Sequence, residues 1–216
     1  MDIDAFIFDF DGTLYDFKSL PRRLILSHPL DCLKMKKERE ARHKLKGCDF
    51  GTEEKFWEEY ASALSEKNGK AMLAWYKEKY LPAMVAVLKK HYRCRPNLNE
   101  FFAELKAHGK KIVVFSDYGM TKERMKAVGI DEKTLSLCDG IYSATDFGCL
   151  KPAVRPFTQI AENIGVPCEK CLVIGDRADT DGEGAKSAGM KFLQIKTHKN
   201  DGLELDQLEK IILLRK

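Results

Sequence analysis

Residues 6–16 read FIFDFDGTLYD. The apolar run AFIF, residues 5–8, closes on a Gly-Thr turn and reads as a buried strand. Asp9 and Asp11 stand at its end. An open α/β sheet keeps its ligand site there, beyond the carboxyl ends of its strands. Two like charges so close repel, and each resists burial. Either one caps a turn while the other is solvated, or a cation or shared proton holds the pair together. The rest of the chain decides.

Three further apolar runs read as core strands: KIVVF (111–115), CLVIG (171–175) and KFLQI (191–195). Helical stretches lie between them. Leu98, Phe101, Phe102 and Leu105 fall on one helix face. Asn97 and Glu100 have the spacing of a capping box at its start, and Gly109 is placed to end it. Residues 121–128 and 153–164 read as helices, and DQLEKIILL near the C-terminus as a last amphipathic one. Strands alternating with helices predict a parallel sheet with helices on its faces, a Rossmann-like, doubly wound α/β core.

Residues 17–92 break this rhythm. EEKFWEEYASALSEK and KAMLAWYKEKYLPAMVAVLKKHY carry large apolar residues at helical spacing, with no convincing strand. They predict an all-helical cap over 17–92, inserted into a core made of 1–16 and 93–216. The stretch KMKKEREARHKLK, 34–46, reads as a mixed-charge, mostly basic helix with a solvated or anion-attracting face.

Composition narrows the classes. A chain of 216 residues, 44% hydrophobic and 32% charged, has the make-up of an ordinary soluble protein with a sizeable core. The net charge of +4, without an Arg stripe interleaved with aromatics, gives no reason to expect a nucleic-acid partner. No run of 18 apolar residues predicts a membrane span, and the start MDIDAFIF does not read as a signal peptide. Seven cysteines at irregular spacing suit free thiols in a reducing cytoplasm. The lone pair Cys168 and Cys171 reads as a structural accident, with metal or redox use as the alternative. A monomer is the default expectation.

Each later core strand also ends in polar residues. KIVVF runs into Ser116 and Asp117; CLVIG runs into Asp176, with Asp179 and Asp181 close behind; Lys151 stands between them in GCLKPAVRPF. In a parallel sheet these ends converge on one edge. Several carboxylates, a hydroxyl and an ammonium then share a pocket.

Taken together, DFDGTLYD, the serine after the second strand, the isolated LKP and GDRADTD resemble the four motifs of the haloacid dehalogenase-like hydrolases. The resemblance implies a Mg²⁺-dependent phosphatase acting on a small phosphorylated metabolite. Asp9 would be the nucleophile that forms an aspartyl phosphate. Asp11 would be the general acid and then the base. Mg²⁺ would be held by the Asp9 carboxylate, the Asp11 backbone carbonyl and Asp176, and would offset the repulsion between the carboxylates. Ser116 and the backbone N–H of Asp117 would bind phosphate oxygens, and Lys151 would neutralise charge on the transferring group. Asp181 would orient Lys151 or a metal-bound water.

Two features depart from the family pattern. Asp117 stands where Asn is frequent, and it repels a phosphate unless it points away or pairs with Lys151. Asp179 adds an acid beside Arg177, where a local ion pair is expected. The acid–base aspartate two residues after the nucleophile disfavours dehalogenation. A sugar-phosphate phosphomutase shares every core residue. A non-catalytic phosphate- or partner-binding module is the alternative of a different class. Arg22, Arg23 and His28, early in the cap, are candidates for reading a second anionic group on the substrate.

Overall fold

Strand β1 (Ala5–Phe8) is buried along its whole length. Its side chains alternate between two cores. Phe6 and Phe8 pack on one face with Phe101 and Phe102; Ala5 and Ile7 pack on the other with Val113, Phe157 and Val173. This is why the strand is apolar without interruption rather than alternating. The computed structural model describes residues 3–195, so the helix expected in DQLEKIILL lies outside the described residues.

Five parallel strands run in the order β3-β2-β1-β4-β5, with β2 at Lys111–Ser116, β3 at Gly140–Ser143, β4 at Cys171–Gly175 and β5 at Lys191–Gln194. Phe8 stands opposite Val114 on one side and Ile174 on the other. The chain builds outward from β1 through β2 and β3, then returns to the far side of β1 for β4. The order reverses at β1, and the crevice of a doubly wound sheet opens at such a switch point.

Helices cover both faces. Among them, α6 (Leu98–Ala107) and α7 (Thr121–Ala127) share the core of Phe6 and Phe8, while α9 (Arg155–Ile164) and α10 (Glu183–Ser187) share that of Ile7. Helix α8 spans Glu132–Leu137. The expected capping box at α6 does not form. Asn97 is in the left-handed region at φ 59°, and its side chain makes no cap bond. Asn tolerates that conformation, and its side chain is then not placed to cap the first turn. Gly109 does close α6, at φ 70°.

Between β1 and α6 the chain is helical: α1 (Leu20–Ser27), α2 (Cys32–Lys44), α3 (Glu53–Leu64), α4 (Gly69–Trp75) and α5 (Leu81–His91). A wide turn over Tyr76–Tyr80 joins α4 to α5. Pro82 has no N–H to give the carbonyl four residues back, and the Leu81 N–H bonds the Tyr76 carbonyl instead. Helix α2 keeps the expected solvated charged face, with Lys36, Lys37, Arg39, Glu40, His43 and Lys44 exposed, and buries its other face. Met35, Glu38 and Ala41 are buried, and Arg42 reaches toward the sheet.

The helical segment is tied to the loop that carries Lys151. The N–H groups of Gly47 and Phe50 donate to the carbonyls of Lys151 and Gly148, and the Leu150 N–H donates to Cys48. Arg155 pairs with Asp49 across the same seam. All seven cysteines are free thiols. Among the described residues no helix is long and apolar enough to cross a membrane.

Candidate active site

Asp9 follows directly from β1, and its N–H still bonds the Ile174 carbonyl at 2.8 Å, so the ladder fixes where its side chain starts. Gly12, at φ 92°, turns the chain back. Thr13 thereby donates its hydroxyl to Asp9 Oδ2 at 3.0 Å.

Lys151 is 3% exposed and spends its ammonium on three acceptors: Asp9 Oδ1 and Asp181 Oδ1 at 2.8 Å each, and the Phe115 carbonyl at 2.7 Å. Burial works against its charge, but Asp181 and Asp9 outweigh that and hold it protonated. Asp181 approaches the sheet closely. A Cβ on Gly175 would stand 2.4 Å from Asp181 Oδ2, so the last residue of β4 must be glycine.

One oxygen each of Asp9, Asp176 and Asp181 lie within 4.8 Å of one another. Three carboxylates thus face a single ammonium. Burial pushes the Asp9 carboxyl well above the usual range; Lys151 opposes this, and Asp181 and Asp176 add to it. Burial, together with Asp181, raises Asp176 to about 6. This surplus of negative charge and the all-oxygen donor set fit a hard divalent cation such as Mg²⁺. The Asp11 carboxylate is not in this cluster.

Asp11 faces the other way. Its carboxylate takes hydrogen bonds from Tyr15 at 2.6 Å, Ser116 at 2.8 Å and the Arg124 guanidinium at 2.6 and 2.7 Å. Burial pushes its carboxyl up, but Arg124, with the Tyr15 and Ser116 bonds, outweighs this and keeps it below the usual range.

The remaining expected residues have distinct places. Asp117 accepts the Lys151 backbone N–H at 2.9 Å, which anchors that loop. Asp179 pairs with Arg177 and also with Lys46 from the end of the helical segment. Those partners lower its pKa to about 2. Arg23 is spent on His91 and the Tyr92 ring, and Arg22 and His28 are exposed.

Sequence reasoning missed two arginines. Arg124 lies wholly buried in α7. Its signal was its place on the buried stripe of Thr121, Met125 and Val128, where an apolar residue is the usual choice. Arg42, in α2, lies 3.8 Å over the Tyr118 ring and donates to the Asp117 carbonyl, the Tyr76 hydroxyl and Glu38. Glu38 in turn accepts from Tyr60. Glu38, three residues after Met35 and three before Ala41, also stands on a core-facing stripe.

Comparison with known proteins agrees with this architecture. Residues 3–189 match the model of the haloacid dehalogenase-like hydrolases. The chain is 26% identical to a glyceraldehyde 3-phosphate phosphatase of Methanocaldococcus jannaschii, over 95% of this chain and 90% of that protein. It is 32% identical to a phosphoglycolate phosphatase of Aquifex aeolicus, over 53% of this chain and 56% of that one. Among solved structures, L-2-haloacid dehalogenase from Xanthobacter autotrophicus superposes with a TM-score of 0.59 at 19% identity, covering 96% of this chain and 83% of that one. With the family model spanning nearly the whole described fold and its strand ends carrying the acidic edge, the chain belongs to the haloacid dehalogenase-like hydrolases.

Proposed function

We propose that the chain is a Mg²⁺-dependent phosphatase that hydrolyses a small phosphomonoester through an aspartyl phosphate on Asp9. The observation that carries this reading is the charge imbalance at the sheet edge, where Asp9, Asp176 and Asp181 crowd together and Lys151, with Arg177 beside Asp176, leaves a surplus of negative charge. Such an edge takes up a divalent cation and, with it, a phosphate dianion that the bare carboxylates would repel. The likeness to two phosphatases named for short phosphorylated carbon chains supports a small substrate.

Asp9 is held for attack by Thr13 and Lys151. Its carboxylate oxygen bonds to phosphorus as the ester P–O bond breaks, and Asp11, ionised in the resting chain, must take up a proton before it gives one to the departing alkoxide. Water then attacks the aspartyl phosphate and yields a proton to Asp11, releasing inorganic phosphate and the Asp9 carboxylate. Bound Mg²⁺, held by Asp9, Asp176 and the Asp11 carbonyl, would neutralise phosphoryl charge. Lys151 adds fixed positive charge, and Asp181 keeps it aimed. The Asp117 carboxylate holds the Lys151 loop, and its backbone N–H is the group assigned to the phosphate. Arg42 and Tyr118 stack where the helical segment meets the sheet edge.

A panel of phosphorylated metabolites with Mg²⁺, scored for released phosphate, tests the reading. Turnover of a small phosphomonoester, lost in Asp9→Asn, is expected. No turnover across the panel, or full activity after exhaustive chelation, would refute it.

A further inference from the structure

Ser116 holds one hydroxyl proton, and it is already committed. Ser116 Oγ donates to Asp11 Oδ2 at 2.8 Å and accepts from the Arg124 guanidinium at 2.8 Å and from the Tyr118 N–H at 3.2 Å. While Asp11 stays there, Ser116 has nothing to give a phosphoryl oxygen. Arg124 is equally committed. Its side chain is 0% exposed, and it reaches both Asp11 oxygens, Ser116 and the Gly119 and Tyr118 carbonyls. A guanidinium buried this completely cannot release its carboxylate unless another anion takes the place, because an unpaired buried charge is strongly unfavourable. Yet Asp11 must leave if it is to serve a leaving group.

We propose that Ser116 and Arg124 form one anion seat, held by the Asp11 carboxylate in the resting chain and by the substrate phosphoryl group in the working one. This rests on the phosphatase reading above. Arg124 is then a phosphoryl-binding residue. Carboxylate and phosphoryl groups offer the same pair of oxygens to an arginine fork, so the exchange leaves the buried cation paired throughout. The exchange also makes release of Asp11 conditional on substrate. An empty site keeps its acid–base group paired.

Binding of inorganic phosphate, measured by titration calorimetry on the full chain with Mg²⁺ present, tests the seat. Asp11→Asn removes the resident anion and keeps the backbone. It is expected to bind phosphate about tenfold or more tighter than wild type, the order expected for removing a charged competitor. Adding Arg124→Met to Asp11→Asn should reverse that gain. Adding Arg124→Lys, which keeps the charge but not the fork, should fall between. The proposal is overturned if Asp11→Asn binds phosphate no tighter than wild type. It is also overturned if neither Arg124 substitution weakens binding in that background. Melting curves check folding, and the lysine variant decides the second point should the methionine variant not fold. The metabolite panel separates the two readings. Turnover without these phosphate effects sinks the seat alone. The phosphate effects without turnover leave an anion seat and sink the phosphatase.

Discussion

At Asp9, three carboxylates share one ammonium; at Asp11, one guanidinium and two hydroxyls serve a single carboxylate. The two residues are separated by one phenylalanine, Phe10, and burial presses on both. Their pKa values nevertheless move in opposite directions. Burial alone sets neither. What differs is the sign of the surplus charge around each, which decides whether the position attracts a cation or is already neutral. One strand end thus offers an unsatisfied region and a satisfied one, and chemistry that needs an incoming cation belongs to the first.

The sharpest way to break this contrast is to substitute each aspartate. Asp9→Asn should leave no phosphoenzyme by intact mass after rapid quench and no turnover of any ester. Any phosphoenzyme in that variant would remove Asp9 as nucleophile. Asp11→Asn should still form phosphoenzyme from p-nitrophenyl phosphate, whose leaving group needs little protonation. Its steady-state rate on an alkyl phosphate should fall about 10²–10⁴-fold. A wild-type rate on the alkyl ester would show that Asp11 transfers no proton.

Removing the cations gives a smaller, comparative effect. Lys151→Met and Arg124→Met each strand a buried carboxylate, and each should cost about 3–5 kcal/mol by denaturant unfolding. Mg²⁺ should restore part of the loss in Lys151→Met, whose stranded groups lie in the acidic cluster, and little in Arg124→Met. Equal rescue by Mg²⁺ would erase the distinction between the two regions.

The smallest expected effect is on melting temperature. Asp176, raised to about 6, keeps a proton in the folded chain where the unfolded chain has lost it. Its contribution to stability is complete below about pH 4 and is lost as pH rises through 6. Mg²⁺ binds the ionised form, so the rise in Tm on adding Mg²⁺ should grow between pH 5 and 7, at roughly 2–4 °C for each kcal/mol gained. A pH-independent rise would place the cation elsewhere.

How far the sequence discloses this arrangement follows from burial. Strands β1, β2, β4 and β5 carry apolar runs and were legible. Strand β3 was not, because it is a four-residue edge strand, GIYS, half-buried and lacking a long apolar run. Asp139, just before it, is instead fixed by polar ties: its N–H to the Ile112 carbonyl, and its carboxylate to the Ile112 N–H, Lys106 and Lys111. Residues at strand ends, Asp9, Ser116 and Asp176, could be placed because the topology carries them to one edge. Lys151 sits in a turn and Asp181 in the wide helical turn Ala178–Gly182, and only their motif spacing announced them. Arg124 and Arg42 were hidden because an arginine on a charged helix ordinarily faces water. Their inward position depends on partners 113 and 75 residues away in the chain, Asp11 and Asp117.

The seam between residues 47–50 and 148–151 also bears on how such chains recombine. Gly47, Cys48 and Phe50 share three backbone hydrogen bonds with the Lys151 loop, and Asp49 and Arg155 bolt the same seam. A chimera that exchanged only residues 17–92 for the helical segment of a relative would graft one half of this seam onto a foreign other half. The ammonium that holds Asp9 would then hang from a loop that keeps its Asp117 anchor but loses the support of this seam. The inheritable unit is discontinuous: the helical segment travels with the Lys151 loop some hundred residues further on, and a crossover between them separates that segment from the charge it steadies.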